Sequence, residues 1–590
     1  MSREAVHDSW TTEALIRTSV AVVRAGRRYH SVSSHRQTDR VHIALRRAAA
    51  DITAVEFDDT GEESARHALV EGELPGWVRE RERQHPRWVW NDTARWYPAL
   101  LEAGVRVERC LDLRLCHRIL RRSASAAGSE LATGPRDSWD AAAVPPDASA
   151  SPEALFDLEP PPADDDPVLE WLRQRAAVEG SAAPGRLALL LAGESVGALV
   201  AVEMRFAGLP WSPERHDELL TELLGPRPMV GRPAKMEAVL ARVRAELDEP
   251  DLNPDSPVEL VKGLQRAGLR VTSTRSWELK QIEHPAIPPL LEYKKLSRLY
   301  SANGWHWLDE WVTDGRFRPS YVPGGVVTGR WASDGGGALQ LPKQVRGAVI
   351  PDPGWTFVVA DASQLEPRVL AAMSGDAAMA RAGQAQDMYQ GMVDSGAVET
   401  RPQAKYGMLG AIYGGTTGES GRMRPRIARA FPKAMEYVEA AARAGERGEV
   451  VSTWLGRSSP PGRGDAYDET ASDAQLRQLR TDARGWGRFT RNFVVQGTAA
   501  EWALCWMGSL RRRLWELGGG DAAPDLLTQR PHLVFFLHDE LIVHTPVGAA
   551  GAVAEALRES AAEAGRLLFG AAPVEFAITV ATVDSYDQAK

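Results

Sequence analysis

Cysteine is scarce: Cys110, Cys116 and Cys505 are the only three in 590 residues. Three thiols cannot build a disulfide framework, and none stands in a zinc or iron–sulfur spacing. A reducing compartment is expected, and the chain reads as cytoplasmic. Long hydrophobic runs are missing too. No apolar stretch approaches the roughly 20 residues of a bilayer span. Residues 1–30 hold Asp8, Glu13 and several arginines where a signal peptide would have its apolar core. No membrane partner is expected. Neither sign of charge prevails, since 70 basic against 79 acidic side chains leave a net −9. That excludes a polybasic coat over the whole chain but not a local basic face, because steering depends on where charge sits. No repeat recurs at a period of 20–50 residues, which sets solenoids and propellers aside.

What is present is enough chain for a large core: 590 residues, 44% hydrophobic, with 19 tryptophans. At about 150 residues per domain, three or four domains are expected. Residues 1–121 read as mixed α/β, most clearly over 85–121. There the apolar Trp88-Val89-Trp90 precedes a helix through Ala94 to Ala103, a stop at Gly104, and Val105 and Val107 alternating as a strand. Residues 122–170 break the pattern with Ala/Ser repeats, Pro145-Pro146 and Pro160-Pro161-Pro162. From Glu153 to Glu170 seven acidic residues face no basic one, so this is read as a linker or a solvated insertion. Helical periodicity runs from about 168 to 320, with an apolar stripe through Leu290, Leu291, Leu296, Leu299 and Tyr300. Residues 326–384 carry strand signals, 386–489 are helical with a Pro/Gly-broken patch at 458–465, and 490–590 are mixed. Strand-bearing flanks around a helical stretch predict one sheet completed from both sides, with the helices inserted as a lobe.

Two carboxylates end strand-like runs. Trp355-Thr356-Phe357-Val358-Val359-Ala360 leads into Asp361, then a turn into a helix near Pro367, with Ser363 and Glu366 at capping-box spacing. Phe535-Phe536-Leu537-His538-Asp539-Glu540-Leu541-Ile542-Val543 has the form of a hairpin with Asp539 at its bend. Either alone reads equally well as a surface turn. Together they suit Mg²⁺, which takes one or two carboxylates plus phosphate oxygens, and a pair of ions assists phosphoryl transfer. Between them, Arg401, Lys405, Leu409 and Tyr413 fall at spacings of four on one helix face. Pro402 places Arg401 at the amino-terminal end, where an anion is favoured. Gly410 and Gly414 would leave room for something flat. Residues 401–433 hold seven basic side chains against one acidic, a local +6 that suits chain conduction past phosphates.

On these residues the chain resembles a family A DNA polymerase of the bacterial DNA polymerase I type. Asp361, Ser363, Gln364, Leu365, Glu366 and Arg368 match its first motif. Arg401, Lys405, Tyr413 and Gly414 match the second, and His538, Asp539 and Glu540 the third. Thr328-Gly329-Arg330 with Leu339-Gln340-Leu341-Pro342 looks like its template-and-primer segment, and Arg488, Asn492, Gln496 and Gly497 its Arg-x3-Asn-x3-Gln-Gly run. The likeness covers about 250–580.

The fold class implied is α/β and α+β multidomain, a right-hand polymerase behind a ribonuclease H-like exonuclease-type domain. The thumb would be 250–325, the palm 326–385 with 490–590, and the fingers 386–489. Residues 1–121 and the helical 171–249 would belong to the exonuclease-like part, with 122–170 between them. By the same resemblance Asp361 and Asp539 hold two Mg²⁺, with Glu540 accessory. Arg401 and Lys405 clamp the triphosphate of a dNTP, and Lys405 is also a proton donor to pyrophosphate. Glu366 lies under the sugar and Tyr413 near the nascent pair. Arg330, Gln340, Arg488, Asn492, Gln496 and His538 contact the template or primer. Three departures stand out: Ala362 replaces an aromatic, Leu409 an aromatic that would meet the incoming sugar, and Met408 an asparagine.

The amino-terminal half matches a proofreading domain in part. Asn91, Gly104 and Asp112-Leu113 fit, but the expected Asp-x-Glu is missing. Glu56, Asp58 and Asp59 lie nearby in another arrangement, the second aspartate's place falls near Arg95 or Trp96, and Glu194 is the nearest stand-in for the last. Loss of 3′–5′ exonuclease activity is expected, with weak residual activity the alternative. The expected partner is primed DNA, met as a monomer, with the 5′ nuclease and ligase supplied by other proteins. The rivals are an inactive DNA-binding scaffold, a two-metal nuclease and a single-subunit RNA polymerase.

Overall fold

The computed structural model describes residues 41–48, 51–141, 166–415, 418–462, 473–520 and 526–589. Residues 1–40, part of the expected insertion (142–165) and part of the broken patch (463–465) lie outside them. The amino-terminal sheet has strands in the order Glu63–Val70, Asp51–Phe57, His42–Ala48, Arg87–Trp90, Cys110–Asp112. The first three pair antiparallel, and the last two join parallel to His42–Ala48. Alternation fills both faces, as period-two side chains require. Ile43, Leu45, Trp88 and Trp90 pack into one cluster with Trp96, Tyr97 and Leu199; Ala44, Val55 and Val89 pack into another with Trp139 and Trp171.

Two expectations fail here. Val105 and Val107 form no strand; both are buried under the end of the helix Thr93–Glu102, their N–H groups donating to the Leu100 carbonyl and the Tyr97 hydroxyl. The strand comes later, at Cys110–Asp112. Nor are residues 122–141 a solvated linker, since Leu131 and Trp139 are buried. The helix Pro184–Ala207 corrects a third. It is long and apolar enough to cross a membrane by length and composition. However, it is mostly buried, and its Glu194 and Glu203 pair with Arg457 and Arg511 at 2.7 and 2.6 Å inside the protein.

Prolines open the helices Pro213–Leu224 and Pro257–Arg266 at their first positions, capped by serine hydroxyls at Ser212 and Ser256. Ala234–Leu247 packs on Ile287–Asn303 and shares its core through Val243, Leu247 and Leu290. The expected boundary at 249/250 runs through that cluster. Residues 326–384 carry less strand than expected. Only Ala332–Ser333 and Trp355–Ala362 are strands, and loops, short 3₁₀ turns and the helices Leu365–Ser374 and Ala377–Ala382 make up the rest.

The second sheet follows the expectation. Its order is His532–Leu537, Glu540–Pro546, Trp355–Ala362, Ile578–Val583, every pair antiparallel. Both flanks build it, and the helices between, ending with Asp473–Leu517, are the insertion. The helix Ala550–Phe569 packs against three of its strands.

Candidate active site

Asp361 is the penultimate residue of Trp355–Ala362, and Asp539 is the second of the two residues that turn His532–Leu537 into Glu540–Pro546. The register sets Asp361 opposite Glu540, and the Ala362 N–H donates to the Asp539 carbonyl at 2.9 Å. The two aspartates therefore stand at adjoining strand ends, both half-buried. His538 opens the turn at φ +61°. A two-residue hairpin turn favours positive φ at that position, and a non-glycine residue there stores about 1–3 kcal/mol.

Glu540 is buried and engaged. The Tyr586 hydroxyl donates to its Oε1, and Arg346 lies 3.6 Å from the same oxygen. Burial and the Glu540 charge push the Tyr586 hydroxyl far up, so it stays a donor. The helix after Asp361 starts at Leu365 with Pro367 in its first turn. That later start agrees with the place of Pro367, and the capping-box spacing goes unused: Gln364 is the cap residue, at φ +51°, and the Ser363 hydroxyl lies 3.2 Å from Thr579 Oγ1. Arg368 is wholly buried and donates to five carbonyls, those of Ser363, Gly383, Ala385, Gln386 and Glu575, at 2.5–2.8 Å. It ties the Asp361 strand end to the segment that leads into Asp387.

The helix Arg401–Tyr413 is capped by Thr400, with Pro402 in its first turn and Gly414 ending it at φ +73°. Arg401 Nε donates to Asp387 Oδ2 at 2.5 Å, and its guanidinium lies over the Tyr389 ring at 5.7 Å. Burial would raise the Asp387 carboxyl, but Arg401 and the Gln390 and Tyr389 N–H groups hold it below its ordinary value. Burial pushes the Tyr389 hydroxyl up to about 12. Lys405 is exposed and, among the described residues, forms no ion pair. Leu409 is half-buried and Met408 buried. At the far end the Tyr413 hydroxyl donates to Glu366 Oε2 at 2.7 Å, and Arg330 donates to Oε1 at 2.5 Å. One carboxylate thus joins this helix to the residues following Asp361.

Gly410 serves packing rather than a flat ligand. A Cβ there would come within 2.6 Å of Ser420 Cβ, on the helix Gly418–Ala430. A Cβ on Gly414 would approach Arg488 Cγ to 3.0 Å, so Arg488 stands beside the end of the Arg401–Tyr413 helix. Arg488 is exposed; Asn492 and Gln496 follow it half-buried, and the buried Asn492 Oδ1 has no hydrogen-bond donor among the described residues. Gln340 is exposed at the end of a 3₁₀ turn. Partial burial and the Arg330 charge lower the His538 imidazole below its ordinary value. No local pattern marks the parts played by Tyr586, Arg346 and Asp387, because each meets its partner, Glu540 or Arg401, on a different element.

The amino-terminal acids are engaged locally. Asp112 accepts from the Thr93 and Leu115 N–H groups, and Asp92 caps the helix Thr93–Glu102. Burial and the neighbouring Asp92 charge raise the Asp112 carboxyl to about 7. Glu56 meets His67 and Arg81, Asp58 closes a turn on Thr60, Gly61 and Glu62, and Glu194 holds Arg457. Among the described residues one three-ligand cluster has metal-compatible spacing: His117, Asp137 and Asp140, with ligand atoms within 4.8 Å of one another. Its aspartates already meet Arg173 at 3.0 Å and Arg121 at 3.3 Å, and His117 Nδ1 is 2.8 Å from Glu170.

The sequence pattern of DNA polymerase family A matches residues 234–587. DNA polymerase I of Chloroflexus aurantiacus is 30% identical over 324 residues, 50% of this chain and 32% of that protein. The thermostable DNA polymerase I of Thermus aquaticus is 27% identical over 325 residues, 50% of this chain and 36% of that one. The chain thus spans about a third of the length of these relatives. Among solved structures, the POL domain of Pol1 from M. smegmatis, in complex with DNA primer-template and dNTP, superimposes with a TM-score of 0.64. At 17% identity over 93% of this chain and 96% of that one, this is a likeness of fold. With the family pattern spanning more than half its residues, the chain belongs to DNA polymerase family A.

Proposed function

We propose that the chain is a template-directed DNA polymerase that adds dNTPs to a primer 3′-hydroxyl and releases pyrophosphate, in replication or repair. The observation that carries this reading is the meeting of Asp361 and Asp539 at adjoining strand ends. Two half-buried carboxylates are hard oxygen donors of the kind Mg²⁺ takes, and they would hold two such ions with phosphate oxygens completing the shell. When bound, the ions lower the pKa of the attacking hydroxyl and stabilise charge on the leaving oxygen.

The other roles fall to the chain's own side chains. Arg401 and Lys405, on one face of their helix, would hold the triphosphate, with Lys405 placed to protonate the departing pyrophosphate. Glu366, fixed between Tyr413 and Arg330, would lie under the sugar and exclude a 2′-hydroxyl. Tyr413 would flank the nascent pair. Arg330, Gln340, Arg488, Asn492, Gln496 and His538 would meet the template and primer. In this reading the helix Ala234–Leu247 joins the thumb, because it shares the core of the segment 250–325.

The amino-terminal unit is read as a ribonuclease H-like domain that no longer hydrolyses DNA. Its sheet, three antiparallel strands followed by two parallel ones, supports the first half of that reading. The second half rests on acids committed to caps, turns and ion pairs, and on the strand His42–Ala48, which carries none. The protein would act as a cytoplasmic monomer, leaving the 5′ nuclease and ligase steps to others.

Primer extension with Mg²⁺ and dNTPs tests the reading. The parent should extend, and Asp539→Asn should lose at least about 10²–10³-fold, the cost of removing one group that stabilises transition-state charge. A parent that binds primed DNA without extending it leaves only the scaffold. Degradation of a labelled single strand that stops on Asp112→Ala would overturn the inactive-nuclease reading.

A further inference from the structure

The helix Asp473–Leu517 is 45 residues long and runs far beyond the motif residues it carries. Arg477, Arg480, Arg484, Arg488, Asn492 and Gln496 succeed one another at spacings of three, then four each time, so they share one slowly rotating stripe. Gln496 and Asn492 are half-buried; Arg488, Arg484, Arg480 and Arg477 are exposed. Arg488 lies against Gly414, next to Tyr413, so the stripe starts beside the nucleotide site and runs outward along the helix.

The four arginines form no ion pair among the described residues. Arg484 Nε donates to the Arg480 carbonyl at 3.2 Å, and the nearby Asp482 is taken by Gln478 at 2.8 Å on another face. Elsewhere in the inserted helices several arginines are matched, Arg424 with Glu439, Arg426 with Glu399 and Arg443 with Glu436, whereas Arg422 and Arg429 form no ion pair among the described residues. Four unmatched guanidiniums in a row, on a chain of net −9, are a local field that fits an anionic polymer. At 1.5 Å per residue, Arg477 to Arg488 spans about 16 Å, room for several successive phosphates.

We propose that Arg477, Arg480 and Arg484 carry the sugar–phosphate backbone of the single-stranded template ahead of the site, prolonging the contacts of Arg488, Asn492 and Gln496. The inference rests on the polymerase reading. It also goes beyond the motif, because these three positions lie outside it.

The test compares the parent with the variant Arg477→Ala/Arg480→Ala/Arg484→Ala, alanine keeping the exposed helix favourable. Fluorescence anisotropy measures binding to two primed DNAs that share one duplex, with a template overhang of one nucleotide or of about twelve, across a salt series. For three lost contacts to a single strand, the slope of log K against log salt should flatten by about 2 on the long overhang. Binding to the short overhang should match the parent, which also shows that the variant is folded. Equal loss on both DNAs would move the contacts to the duplex and overturn the proposal, as would no loss on either. A parent that binds neither DNA removes the polymerase reading itself.

Discussion

Replacing Arg368 by methionine tests how the site is held together. The guanidinium is wholly buried and donates to five carbonyls on three stretches of chain: Ser363, Gly383 to Gln386, and Glu575. At about 1.5 kcal/mol for each bond from a charged donor, the five are worth roughly 7 kcal/mol. Desolvating the charge costs several kcal/mol, which is why burial lowers the Arg368 pKa. A net loss of about 3 kcal/mol is expected for Arg368→Met, because methionine leaves carbonyls without a donor. For residues 326–590 unfolding as one unit, about 2 °C per kcal/mol converts that to a fall in Tm of roughly 6 °C. Arg368→Lys keeps the charge but offers three donors at one point instead of a five-donor fork, so it should recover less than half. Differential scanning calorimetry at one scan rate measures both. The segment held by Arg368 ends at Asp387, the partner of Arg401, so the KM for dNTP should rise in the methionine variant at temperatures where it remains folded. A methionine variant melting within about 2 °C of the parent would refute the reasoning.

Tyr413→Phe removes the hydroxyl that orients Glu366. One hydrogen bond of about 0.5–1.5 kcal/mol corresponds to a two- to twelvefold change in the dNTP-to-rNTP ratio of kcat/KM, and an unchanged ratio would separate Tyr413 from sugar choice. Asp112 holds its proton to about pH 7 in the folded chain against an ordinary value of 3.8. Its contribution to stability is therefore full below about pH 4 and lost as the pH rises through about 7. The Tm difference between pH 5 and pH 8 should shrink in Asp112→Asn, and an identical difference would count against the buried acid. Glu203 lies buried between Tyr97 and Arg511, joining the amino-terminal unit to the long helix. Glu203→Ala leaves Arg511 without its carboxylate at a cost of about 3–5 kcal/mol. Limited proteolysis should then cut within residues 85–121 at lower protease concentration than in the parent.

Much of this protein was legible from residue order alone. Apolar runs ending in Asp361 and bending at Asp539 named the strands and the hairpin, because burial on both faces demands continuous hydrophobic stretches. Spacings of four named the Arg401–Tyr413 face, and Pro402 marked the start of its helix. The same local rules erred where tertiary contacts supply what a strand or loop would otherwise need. Val105 and Val107 alternate because a helix end covers them, Gly410 is small because Ser420 abuts it, and Trp139 packs the segment that composition reads as a linker. Only the fold decided which charges meet. Glu540 is held by Tyr586, Glu366 by Tyr413 and Arg330, Arg401 by Asp387, and Glu203 by an arginine 308 positions away. Local sequence sets the preferences of neighbouring residues, whereas pairing across such separations is fixed by packing the whole chain at once.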